Sequence, residues 1–319
     1  MPRLGVWIFP DEKLSDIFRT ARAAEDMGYH HIWLGDEGFA RDVYVAMAGC
    51  AQATSRLGIG LAITNPYLRH PLVSAIAMAS VDEVSGGRTV YGLGAGGSLS
   101  LRPVGISARR PVEAVSEAIA IARQVFGGHK VDFHGQLFSA KGGPYPYQRP
   151  SLPIMVAGRG PRMLEMAARE ADMIFLSGIA KPQLRQVVQR IRSTAAQVGR
   201  NVELIYASYA AYSDEALRAI RRNVAYFVLD CPADVKALVG LDEHLEAEMR
   251  SRLQAGGLEL ASELVTEGML RTFVLAGSLE ECRQEARQLV EELGFDEFVI
   301  EVPHGSDAVV VARDFSGLF

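Results

Sequence analysis

The sequence predicts an α/β fold, a closed barrel of eight parallel strands alternating with helices, as one domain spanning residues 1–319. Three observations lead there. Short apolar runs alternate with helix-like segments eight times along the chain. Most runs are apolar throughout, as strands covered on both faces are. No early GxGxxG marks the first strand-to-helix turn, so an open doubly wound sheet is the second choice.

In order, Leu4 to Phe9 is strand one, ended by Pro10-Asp11. Leu14, Ile17, Phe18, Ala21 and Ala24 share a helix face that runs to Gly28. Strand two, His31 to Leu34, stops at Gly35-Asp36-Glu37-Gly38, and Asp42 is placed to cap the helix carrying Val45, Ala46, Gly49 and Ala53. Strand three, Leu57 to Ile63, leaves the sheet at Thr64-Asn65-Pro66. Pro71 opens the third helix, whose spacing predicts Val73, Ile76, Ala77, Val81 and Val84 as its buried face. Ser85-Gly86-Gly87 stops it, and Arg88 to Leu93 is strand four, running into Gly94-Ala95-Gly96-Gly97.

Pro111 starts the fourth helix, with Val112, Val115, Ile119, Ala122 and Phe126 on one face. Residues 128–150 form a turn-rich insertion in which 130–133 and 136–138 pair as a small hairpin. Strands five and six are Pro153 to Ala157 and Asp172 to Leu176, and helices follow at 163–170 and 182–198. Strand seven is Val202 to Tyr212. Residues 214–271 are helical in pattern and too long for one crossover, so they are a helical insertion. Leu279, Cys282, Ala286, Leu289 and Leu293 mark the last crossover helix, Glu297 to Val302 strand eight, and a short helix closes the chain.

Composition narrows the function. Apolar residues make up 49% of the chain, enough for a full core, and the net charge of −5 comes from both signs interspersed. Neither a nucleic-acid surface nor an anionic membrane fits that balance, and no stretch has the apolar length of a span. Cys50, Cys231 and Cys282 are scattered without metal spacing, which fits a reducing cytoplasm and no metal centre. No basic segment followed by an apolar run opens the chain, so no secretory signal is expected. GxSxG, HExxH and phosphate-loop motifs are absent.

In parallel α/β folds ligands bind at the carboxyl ends of the strands. The candidates there are few. Asp36 and Glu37, after strand two, suit acid–base work or polarising a ring, and equally a solvated loop. Small residues at Ala62 to Asn65 and Gly94 to Ser98 let a flat ligand approach the backbone, or simply make tight turns. Gly158-Arg159-Gly160-Pro161 opens a helix with free N–H groups and two arginines, Arg159 and Arg162. That is a phosphate cradle or an ordinary turn, with Ser177-Gly178 on the neighbouring strand as a second donor set. Trp7 faces the barrel mouth or the core, with the core preferred; His70 fixes its loop, and His304 stands isolated after strand eight.

Thr64-Asn65-Pro66-Tyr67, Arg69-His70-Pro71, Val81-Asp82-Glu83-Val84-Ser85-Gly86-Gly87-Arg88 and Gly92-Leu93-Gly94-Ala95-Gly96 together resemble the luciferase-like monooxygenase superfamily. Within it the chain is most similar to the deazaflavin-dependent methylenetetrahydromethanopterin reductases. The likeness extends through Trp33 to Asp36, Arg41 to Tyr44, Gly158 to Ala167 and Ala276 to Cys282. It implies a luciferase-like TIM barrel with a helical insertion before the last strand. It implies coenzyme F420, a deazaflavin, or FMN in other branches. It implies a bulge in strand three with a non-prolyl cis peptide at Ala62-Ile63, so that Ala62, Ile63 and Thr64 back the ring. Asp36 then lies at the cofactor, Gly96 and Ala157 join its site, and Gly158, Arg159, Gly160, Ser177 and Gly178 take the phosphate.

Three positions depart from the pattern of the relatives. Glu37 stands where many have histidine, Trp7 where the reductases have a strand-one glutamate, and Gly97 where an acid is usual. The resemblance therefore implies hydride transfer between deazaflavin C5 and an unsaturated organic substrate other than the pterin. Asp36 and Glu37 would be catalytic, Glu37 as the general acid, with Trp7 and Gly97 lining the substrate pocket. The alternatives are an FMN-dependent monooxygenase served by a separate reductase and, below it, a non-catalytic cofactor-binding protein. The expected partners are a small-molecule substrate and further copies of the chain, as a homodimer or homotetramer.

Overall fold

The computed structural model of the protein describes residues 1–36, 40–146 and 149–319, with residues 98, 99 and 102 described in backbone only. In chain order the strands are β1 (Arg3–Ile8), β2 (His31–Leu34), β3 (Gly58–Leu61), β4 (Thr89–Leu93), β5 (Val131–His134), β6 (Ser139–Gly142), β7 (Ile154–Ala157), β8 (Met173–Leu176), β9 (Glu203–Ser208), β10 (Ala210–Ala211), β11 (Leu275–Ala276) and β12 (Glu297–Glu301). Eight of them close into a parallel barrel, ordered β1-β12-β9-β8-β7-β4-β3-β2. Helices cover the outside. Strand side chains alternate between an outer core under the helices (Val6, Ile32, Ile59, Phe298, Ile300) and a smaller one inside the barrel (Trp33, Met155, Phe175, Ile205, Val299).

The floor of the barrel is polar. Glu297, fully buried, accepts from Trp33 Nε1 at 2.9 Å and lies 2.8 Å from His31 Nδ1. Glycine makes room for these rings: a Cβ at Gly60 would sit 2.0 Å from the Trp33 ring, and one at Gly58 2.1 Å from His31.

At the other end β3 departs from regular pairing. Ile59 and Gly60 face Thr89 and Val90, whereas Thr64 bridges to Leu93, so β3 carries one extra residue over that span. The Ala62–Ile63 peptide bond lies in this bulge and is cis, where the resemblance placed it. Gly92 permits the bulge, because a Cβ there would stand 1.7 Å from the carbonyl oxygen of Leu61.

The helical insertion comprises Asp214–Asp230, Ala233–Leu238, Glu243–Ser262 and Glu267–Phe273. It packs on its own apolar cluster, with Ile220, Val224, Val228, Met249 and Phe273. The predicted strand Val202 to Tyr212 is two pieces: β9 in the barrel, and β10, which pairs with β11 where the chain returns from the insertion.

Two local expectations need correction. In helix Pro71–Ser85, Val81 is buried, but Val73 and Val84 are exposed, and the inward face carries Ser74, Ala75, Met78, Asp82 and Ser85. Polar partners decide this. Tyr91 donates to Ser74 Oγ at 2.9 Å, and Asp82 receives Arg149 at 2.6 and 2.8 Å. In the hairpin, residues 136–138 are turn, and the second strand begins at Ser139. The Glu117 carboxylate accepts from the N–H groups of Gln136, Leu137 and Phe138, which takes them out of the ladder.

Candidate active site

Two groups of residues meet at the carboxyl end of the barrel. The first lies on β2, β3 and β4. Asp36, two residues beyond β2, accepts from the Thr64 hydroxyl at 2.6 Å. Thr64 is itself fully buried just past the bulge. Burial raises the Asp36 pKa above the ordinary carboxylate value, opposed by the Thr64 hydrogen bond and the charge of Arg69. Arg69 is held by Asp42 at 2.5 Å and lies 4.8 Å over the Tyr44 ring. Asp42 also caps its helix, accepting from Tyr44 N and Val45 N, and His70 caps the next by accepting from Leu72 N. Gly94 fits against Ile63, with room for no Cβ: one there would approach Ile63 Cδ1 to 2.6 Å. Gly96 has φ of +75°. These glycines let the β4 exit pack directly on Ile63 and Asn65 of the β3 exit. Glu37 lies outside the described residues.

The second group lies on β7, β8, β9, β12 and β1. Helix Pro161–Glu170 starts after Gly158-Arg159-Gly160 with no side-chain cap. Its first-turn N–H groups thus form an anion-receptive end, and a Cβ at Gly160 would meet only open space. Arg159 turns to the insertion, pairing with Asp230 at 2.5 Å and lying over Tyr226 and Phe227, while its Nη1 is buried with no hydrogen-bond partner among the described residues. The Ser177 hydroxyl donates to Glu301 Oε1 at 2.6 Å. Gly178, with φ of +64°, lies beneath Phe227, 2.8 Å from where its Cβ would be.

Trp7 stands at the mouth rather than in the closed core. Its ring centroid is 5.1 Å from that of Phe9 and 5.4 Å from that of Phe175, and its indole Nε1 has no partner among the described residues. His304 is not isolated: it stacks on Phe9 at 4.6 Å and pairs with Asp11 at 2.7 Å.

The residue that sequence reasoning missed is Glu301. Trp7 and Glu301 are register partners on β1 and β12. Glu301 shares the inward face with Val299 and Glu297, because Phe298 and Ile300 face outward. It is 2% exposed. Burial pushes its pKa up to about 8, against the Ser177 and Tyr209 hydroxyls and the charge of Arg159, all of which favour the carboxylate. The signal was in the strand: Glu297 and Glu301, four apart, belong to one face at period two.

Fold and mouth together define a (β/α)8 protein with closely packed, glycine-rich exits at β3 and β4 and a buried acid, Glu301, on β12 beside Trp7. The luciferase-like monooxygenase family profile matches residues 1–297. The chain belongs to that family. The 5,10-methylenetetrahydromethanopterin reductase of Methanolobus tindarius is 28% identical over 308 residues, covering 94% of each chain. The F420-dependent glucose-6-phosphate dehydrogenase of Kineococcus radiotolerans is 26% identical, covering 97% of this chain and 92% of that protein. Among solved structures, the coenzyme F420 dependent tetrahydromethanopterin reductase from Methanopyrus kandleri superposes with a TM-score of 0.88 at 23% identity, over 99% of this chain and 97% of that one. No helix among the described residues is long and apolar enough to cross a membrane.

Proposed function

We propose that this protein is a coenzyme F420-dependent oxidoreductase that moves a hydride between the deazaflavin and an unsaturated small molecule. The observation that carries the reading is the β3 exit: the bulge, Thr64 tied to Asp36, and the glycines of β4 opposite. The end-to-end similarity to an F420-dependent glucose-6-phosphate dehydrogenase supports it. The residues fit the cofactor. Ala62, Ile63 and Thr64 back the ring, Gly96 and Ala157 border it, and Asp36 contacts its head. Gly158 to Gly160 and the uncapped helix start receive the phosphate, with the unsatisfied Nη1 of Arg159 beside them. Gly178 borders that side, and Ser177 lies across the mouth at Glu301. Trp7 and Gly97 line the substrate side. When bound, the reduced deazaflavin supplies the hydride at C5; the protein orients the ring and keeps water away.

The test is equilibrium fluorescence titration of the purified protein with F420 and with FMN. Preference for F420 is expected. Asp36→Ala should weaken that binding about tenfold or more, the scale of one buried hydrogen bond to a charged group. A preference for FMN would move the reading to an oxygen-using monooxygenase, and unchanged F420 affinity in the variant would remove Asp36 from the site.

A further inference from the structure

The register partner of Trp7 on the adjoining strand is a buried glutamate, Glu301. We propose that Glu301 is the proton donor of the substrate half, acting on the oxygen or nitrogen of a carbonyl- or imine-type acceptor. This rests on the F420-dependent reading above.

The geometry carries it. Glu301 Oε1 is engaged by Ser177, and Oε2 has no partner among the described residues. Trp7 Nε1, from the register-paired strand, and Arg159 Nη1, whose charge acts on Glu301, are likewise unpartnered there. Buried polar groups are rarely left unsatisfied, and two on register-paired strands, Trp7 Nε1 and Glu301 Oε2, call for a ligand that hydrogen-bonds to both. A heteroatom with lone pairs between the two paired strands would meet the Trp7 indole N–H and the Glu301 acid proton. The rings of Trp7, Phe9 and Phe175 supply the apolar wall for the carbon skeleton.

The step balances. The hydride from the reduced deazaflavin forms the new C–H bond and leaves the cofactor oxidised. The π pair of the C=O or C=N bond moves to the heteroatom. The proton on Glu301 Oε2 forms the O–H or N–H bond, leaving a carboxylate that Ser177, Tyr209 and Arg159 stabilise. The reverse reaction returns the proton. Donation requires Glu301 protonated, and burial keeps it so at neutral pH, with its pKa at about 8. Turnover in the reducing direction should therefore fall as pH rises through about 8. The titratable and charged groups around it are Arg159 and Tyr209, which act on it directly, Tyr206 on β9, and Glu215, Asp307 and Asp314, which line the same cavity.

Glu301→Gln keeps the volume and the acceptor for Ser177 but has no proton to give. Three measurements decide. Infrared difference titration of the cofactor-free protein should show a protonated carboxyl band that is lost near pH 8 and is absent from the variant. F420 affinity should stay within about threefold, because Glu301 is on the substrate side. The kcat for reduction of cyclohexanone, cinnamaldehyde and dihydroisoquinoline should fall by about 10²–10⁴ wherever the wild type acts, and the alkaline limb should vanish. A carboxyl band lost near pH 4, an equal loss of F420 affinity, or an undiminished kcat would overturn the role. A wild type that reduces none of the three would overturn the acceptor class. A wild type that binds no F420 would overturn the underlying reading, while the infrared band still reports on Glu301 by itself.

Discussion

Glu297 and Glu301 lie four residues apart on the same face of β12, both buried, and are driven in opposite directions. Burial pushes each carboxyl up. At Glu297 the His31, Trp33 and Arg3 side chains outweigh it and hold the pKa below the ordinary value. At Glu301 the Ser177 and Tyr209 hydroxyls and the charge of Arg159 do not, and the value rises to about 8. Stability follows from the sign. Between about pH 4.5 and pH 8 the unfolded chain has released the Glu301 proton while the folded chain keeps it, so stability falls as pH rises, by up to ~1.4 kcal/mol per unit. Above about 8 the term stops growing. Glu301→Gln removes it, so the variant should gain ~1–4 kcal/mol over the wild type between pH 5 and pH 8 in urea unfolding. Stability curves that stay parallel across that range would contradict a raised pKa.

Helix Pro71–Ser85 shows how an element is oriented when its own sequence leaves the choice open. It is apolar nearly all the way round, so three- and four-residue spacing could not select a face, and Val73 and Val84 ended up in solvent. Asp82 selects it. Its carboxylate, 1% exposed, takes both Arg149 bonds and the Thr89 N–H, joining the helix to β4 and to the chain entering β7. Asp82→Ala should cost ~3–5 kcal/mol in urea unfolding, because it strands a half-buried guanidinium. A loss below ~1 kcal/mol would mean that apolar packing alone orients the helix. Helix starts and stops were legible, since caps are local: Asp42, Pro71, Gly86 and Pro111 act where the sequence places them, and His70, expected only to fix its loop, caps a helix. The buried face was not, because Arg149 is 67 residues away.

For the whole molecule, the barrel mouth joins two structures with separate cores. The insertion rests on the β7 and β8 exits through Arg159 with Asp230 and through Phe227 over Gly178. A side chain at position 178 would need a positive φ and would meet the Phe227 ring. Gly178→Val should therefore lift the helix at 214–230, with faster amide exchange across residues 214–273 and unchanged protection in the barrel strands. Equal loosening of both would show that barrel and insertion unfold as one unit.

The sequence by itself determined the eight strands of the parallel barrel, the hairpin and the helical stretch before the last strand, because these depend on apolar runs, glycines and prolines acting within a few residues of themselves. It also put Asp36 and Thr64 at neighbouring strand exits, which the structure joins by a hydrogen bond of 2.6 Å. Only the tertiary structure decided which polar atoms find partners. Glu301 looks like the tail of an apolar strand until closure of the barrel sets it beside Trp7, 294 residues earlier, and Ser177, 124 residues earlier. Desolvation and pairing are properties of that closed mouth. The charge state of a carboxyl, and so its chemistry, is settled there and not along the chain.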